Sequence, residues 1–207
     1  MPYESQSAND LKHINFLRKA LRENSRISIS FSGAAGWKGT LALENGNFDA
    51  EQGMLALIRR IFETDVVGFE WEPLTQPLEG SVEASLSLAR ALNNWHPDAE
   101  RIRIYRYNFS KLPPVRLKAA MLFRMLPDDR PLYSQLYQES LRAEGVRLAE
   151  FLGESEPGVL LKKIRIVLVC YCLGTLIPIE PPKPMEPVVR ENKMEVARRI
   201  LTKLRSN

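Results

Sequence analysis

The chain has 207 residues, 44% of them hydrophobic, with 29 lysines and arginines against 25 acids and a net charge of +4. That is enough apolar material for one large domain or two small ones with a real core, and no apolar run approaches the about 18–20 residues a membrane span needs. Residues 190–207 carry six basic and two acidic side chains, so residues 1–189 balance at 23 of each sign, which argues against a broad electrostatic surface for duplex DNA.

Residues 1–10, MPYESQSAND, are polar and acidic with no signal-peptide pattern, so a cytoplasmic location is expected. Asn9 and Asp10 can cap a helix carrying Leu11, Ile14, Leu17 and Leu21 on one face. Residues 26–31 (RISISF) alternate as a half-buried strand does. The next stretch, SGAAGWKGTLALENGNFDA (32–50), resembles a phosphate loop only at first sight. Such a loop needs Lys-Ser/Thr directly after its last glycine and then opens a helix. Here Lys38 precedes Gly39, and Thr40-Leu41-Ala42-Leu43 is a short apolar run closed by Asn45-Gly46, a hairpin signal because both residues tolerate positive φ. The stretch reads as strand, turn, strand, turn, strand, with no nucleotide.

From Glu51 the period changes: Met54, Leu55, Leu57, Ile58, Ile61 and Phe62 fit a helix, with Asp49 as its possible cap. Residues 68–73 (GFEWEP) alternate again, Phe69 and Trp71 on one side and Glu70 and Glu72 on the other. Phe48, Phe69 and Trp71 then supply the aromatic face of a small sheet covered by two helices.

Four short motifs lie in order here: Gly39-Thr40-Leu41-Ala42-Leu43, Asn45-Gly46-Asn47-Phe48-Asp49-Ala50, Ala56-Leu57 and Gly68-Phe69-Glu70-Trp71-Glu72-Pro73. Over residues 9–73 this combination resembles the PATAN domain, the N-terminal unit of a group of bacterial response regulators. That family shows a G-x-L-x-L strand, a dG-x-(I/V)-x-(D/H)-A strand, an A-L helix and a closing G-x-F-x-(F/W)-x-P. The chain departs from it at Gly53-Met54-Leu55-Ala56, where the family carries Gly-Glu-Glu-Ala, and one hairpin is shortened. The resemblance implies a small antiparallel sheet with flanking helices and a setting in two-component signalling, phototaxis or type IV pilus control.

Beyond the LTQPLEG linker, residues 81–94 are expected as a helix with Ser81 capping and Val82, Leu86, Ala89 and Leu92 in a stripe. Residues 100–110 (ERIRIYRYNFS) alternate, which predicts a strand with Arg101, Arg103, Tyr105 and Tyr107 on one face against Ile102 and Ile104. Basic and aromatic side chains on a strand can track single-stranded nucleic acid, although an ordinary solvent-facing strand uses the same residues. Helices are predicted over 115–126, 132–141, 146–152 and 157–173, the last almost wholly apolar from Ile164, with Gly174 as its stop and a short exit strand. This mainly helical unit, 81–177, resembles a degenerate winged helix without a DNA-reading face.

Residues 178–189 hold five prolines in twelve positions and read as a stiff linker. Beyond it, Met194, Ala197, Ile200, Leu201 and Leu204 form an apolar stripe with Arg198, Arg199 and other basic residues around it. A basic amphipathic helix can dock on its own body, on a partner or on an anionic membrane.

Catalytic signals are sparse. His13 and His96 read as surface or capping residues, and Asp128-Asp129 between Pro127 and Pro131 as a turn rather than a metal pair. Cys170 and Cys172 are too few for a structural zinc site and read as buried free thiols. The expected fold is α+β: a PATAN-like unit over 1–80, a helical unit over 81–177, a linker over 178–189 and a C-terminal helix over 190–207. The expected function is a non-catalytic adaptor without cofactor or metal that binds a protein partner, such as a response regulator or motility component. A nucleic-acid-binding regulator is the alternative, with Arg101, Arg103, Tyr105 and Tyr107 as contacts.

Overall fold

The computed structural model describes residues 11–93, 95–118 and 125–179. It is α+β, as expected, with a five-stranded antiparallel sheet in the spatial order Val66–Pro73, Arg26–Gly33, Lys38–Glu44, Asn47–Asp49, Ser81–Glu83, and a separate two-stranded sheet of Val115–Leu117 and Leu176–Pro178. Helix α1 (Lys12–Arg22) buries Ile14, Leu17 and Leu21, and leads into β1 (Arg26–Gly33). β1 pairs with β2 (Lys38–Glu44), and β2 returns through Asn45-Gly46 to β3 (Asn47–Asp49). Asn45 and Gly46 have φ of 49° and 78°, the left-handed pair that a two-residue hairpin with this twist requires.

α2 (Met54–Glu63) buries Ile58, Ile61 and Phe62, and β4 (Val66–Pro73) then pairs with β1 at the sheet edge. Asp49 does not cap α2: the N-cap is Gly53, in left-handed geometry and without a side-chain bond. β1 alternates cleanly, with Ile27, Ile29 and Phe31 buried and Arg26 and Ser30 exposed. The sheet therefore has a helix-covered face and an open face.

Three expectations are corrected in the second half. Ser81 caps no helix, because β5 (Ser81–Glu83) pairs with β3 as the fifth strand, Val82 opposite Phe48, and only then does α3 (Ala84–Asn93) begin. The boundary drawn at residue 80 thus cuts off a strand of the first sheet. Residues 100–110 lie in α4 (Ala99–Ser110), not a strand, capped by Asp98, whose Oδ1 accepts from the Arg101 amide at 2.7 Å. Residues 115–117 form β6 (Val115–Leu117) rather than a helix start, bonded to β7 (Leu176–Pro178).

A 3₁₀ turn (Pro127–Asp129) opens α5 (Arg130–Ser140), followed by the short α6 (Leu148–Phe151) and α7 (Pro157–Cys172). α7 is buried throughout from Ile164 to Cys172 and packs on α1, α3, α4 and α5. One continuous hydrophobic cluster runs from Leu11 to Leu176. Tyr171 on α7 joins the two halves by donating to Asn15 Oδ1 at 2.6 Å, with the Arg18 guanidinium 4.4 Å over its ring. Of the linker expected over 178–189, Pro178 instead closes β7 and the Ile179 amide donates to the Pro114 carbonyl at 2.8 Å, while residues 180–189 and the C-terminal segment lie outside the described residues.

Candidate functional site

The longer of the two edge strands of the five-stranded sheet is β4. Among the described residues β4 pairs only with β1, residues 27 to 32 facing 73 to 68. The Leu74 amide donates to the Arg26 carbonyl at 3.1 Å, so the hydrogen-bonded pairs are 26/74, 28/72, 30/70 and 32/68. The intervening residues, Phe69 and Trp71, turn their N–H and C=O groups away from β1, towards the free side. Pro73 has the same parity, where a proline costs no ladder bond.

The side chains at that edge divide by face. Phe69 and Trp71 turn to the helix side, where Phe16 of α1 meets them at ring-centroid distances of 4.9 and 6.2 Å. Trp71 nevertheless remains 56% exposed, and Val67 54%. A cavity of ≈ 150 Å³ lies between α1 and this corner, lined by Phe16, Lys19, Ala20, Glu23, Ile27 and Trp71, together with Ser25. Glu70 and Glu72 turn to the open face beside Ser28, Ser30 and Ser32, and β4 carries no lysine or arginine.

Two further cavities flank β2. One of ≈ 330 Å³ lies on the open face among Ser30, Ser32, Lys38, Thr40 and Glu70, where Ser32 Oγ donates to the Gly68 carbonyl at 3.2 Å. The other, of ≈ 270 Å³, lies between β2 and α2 beside Trp37, Asp49, Glu51 and Arg60. The supposed phosphate loop is a hairpin end: Gly33 donates to the Trp37 carbonyl, and the indole lies on Gly33, where a β-carbon would strike it.

The residues proposed for nucleic acid do not form one face. Arg101 is buried and donates to Asp65 at 2.6 Å, and Tyr105 is fully buried with its hydroxyl donating to the Phe62 carbonyl at 2.9 Å. Burial holds the Tyr105 phenol well above its ordinary range. Arg103 and Tyr107 are exposed, Arg103 paired with Glu100 at 3.0 Å and Tyr107 under the Lys111 ammonium at 3.8 Å. Met194, Ala197, Arg198, Arg199, Ile200, Leu201 and Leu204 lie outside the described residues.

Cys170 and Cys172 are free thiols in the core, each pushed up to about 12 by burial. His13 is buried, against the expectation of a surface or capping position, whereas His96 is exposed. Among the described residues no group of three or more His, Cys, Asp or Glu side chains is placed to hold a metal, and no helix is long and apolar enough to cross a membrane. Asp129, read as part of a turn, also forms a buried two-point pair with Arg165: Nε donates at 3.0 Å to Oδ2, and the Nη2 donates to Oδ1. The pair was foreshadowed by an arginine inside an apolar helix, which has to find an acid. No family model, curated protein or solved structure matches the chain.

Proposed function

We propose that the protein is a non-catalytic, cytoplasmic adaptor or regulator that binds other proteins in a bacterial signalling or motility assembly. The setting comes from the PATAN resemblance over residues 9–73, which implies two-component or type IV pilus control. One observation carries the interaction reading: an eight-residue edge strand whose Phe69 and Trp71 amides face away from β1 and meet no other strand among the described residues, with a half-open tryptophan beside them. Edges of this kind are templates for an added segment unless covered, and aromatic side chains anchor interfaces out of proportion to their number. Met194, Ala197, Arg198, Arg199, Ile200, Leu201 and Leu204 are the second proposed contact set.

Affinity capture with the full chain tests the reading, comparing wild type with Trp71→Asp and with the double variant Ile200→Asp, Leu201→Asp. A stoichiometric partner that one of these variants loses supports it. Failure of wild type to retain any partner at stoichiometric level refutes it.

A further inference from the structure

Among the described residues, the helix side of the sheet is left partly uncovered at the β4 end. The inward side chains of β1, Ile27, Ile29 and Phe31, are buried, yet Trp71, opposite Ile29, is more than half exposed. α1 reaches this corner with Phe16 and stops short of closing it, leaving the α1–β4 cavity floored by Phe16, Ala20, Ile27 and Trp71. A cavity of that size admits a benzene-sized apolar group.

Residues 190–207 supply an apolar stripe of matching kind. Met194, Ala197, Ile200, Leu201 and Leu204 recur at helical spacing, and a helix of that length spans about 15 Å at about 1.5 Å per residue. Phe16 to Arg22 on α1 covers about 9 Å by the same rise. Reach is sufficient. A methyl group at Gly174 would touch the Arg22 side chain, next to Glu23 of the cavity, and Ile179 is at most about 18 Å of chain further on. Ten residues, the number from 180 to 189, span at most about 36 Å when fully extended.

Charge does not oppose this occupant. Six basic and two acidic side chains accompany the stripe, the cavity lining holds one base, Lys19, and one acid, Glu23, and the Glu70 and Glu72 of β4 turn to the open face. A second copy paired edge to edge through β4 sets these acids against their own kind. Residues 1–10 contain no apolar stripe.

We propose that residues 194–204 pack their apolar stripe into the α1–β4 cavity of their own chain, over Trp71. The inference rests on the adaptor reading for its consequence, that a partner engaging either surface must displace this contact. The docking itself is a property of the chain alone.

Tryptophan fluorescence of the purified full chain tests it. Trp37 and Trp95 are buried in the core, so emission open to acrylamide reports Trp71. Docking predicts that Trp71 resists quenching in wild type, and that Ile200→Asp with Leu201→Asp red-shifts the emission and opens it to acrylamide. Both substitutions lie outside the described core. Trp71→Phe removes the responsive component. Equal quenching in wild type and the double variant overturns the proposal, as does wild-type protection that vanishes on dilution, which assigns the site to a second copy. No partner is present, so this result and the capture result fail separately.

Discussion

Replacing Asp129 by Ala leaves Arg165 as an uncompensated charge in the core. Both side chains are nearly sealed, at 3% and 6% exposure, and the guanidinium also donates from Nη1 to the Asn93 carbonyl at 3.2 Å. The pair thus fastens α7 to the turn before α5 and to the end of α3. Removing one partner of such a buried pair costs about 3–5 kcal/mol, a large share of the about 5–15 kcal/mol that holds a domain together. At about 2–4 °C per kcal/mol for a chain of this size, the melting temperature falls by about 6–20 °C. Urea titration followed by circular dichroism measures the loss. The double variant Asp129→Leu, Arg165→Met should recover most of it, because an apolar pair of similar volume avoids desolvating two ions. A loss below about 1 kcal/mol for Asp129→Ala, the range of a surface pair, refutes the buried-pair account.

Tyr105→Phe removes a buried hydroxyl from the Phe62 carbonyl and should cost about 0.5–1.5 kcal/mol in the same titration. Gly46→Ala places a β-carbon at φ 78° and should destabilise by about 1–2 kcal/mol, whereas substitution at exposed Glu70 should have little effect on stability. The thiols of Cys170 and Cys172 should resist alkylation in the native protein at pH 8 and react fully in denaturant, read by mass spectrometry. Their raised values also fix a pH trend. Below pH 9 both states keep the protons. Between pH 9 and about 12 the unfolded chain releases them while the folded one holds them, so stability should fall as pH rises through that window.

The elements that were legible are those with one dominant local signal. The stripe of Leu11, Ile14, Leu17 and Leu21, the Asn45-Gly46 hairpin and the Pro157-to-Gly174 helix each combine a period with its punctuation. Residues 100–110 misled because Arg-Ile-Arg-Ile-Tyr-Arg-Tyr alternates by two while the same letters also satisfy the helical spacing. Arg101, Ile104, Tyr105 and Phe109 are the set that is buried, and the Asp98 cap was the overlooked helical cue. Residues 81–83 and 115–117 are three-residue strands, too short to show a period, and exist because distant partners, Phe48 and Leu176, supply the ladder. For the candidate site, the sequence placed Phe69 and Trp71 on one side of a strand. It held no information that β4 lies at the edge, since sheet order is set by which strands find partners.

Residue-resolved amide exchange of the purified full chain, followed by NMR, tests the open β4 edge most directly. The register predicts slow exchange at Gly68, Glu70 and Glu72, whose amides face β1, and fast exchange at Phe69 and Trp71, slowed when a captured partner is added. Phe69 and Trp71 amides as protected as those of Ser28 and Ser30 in the free chain would contradict the edge, and with it the surface on which the adaptor reading stands.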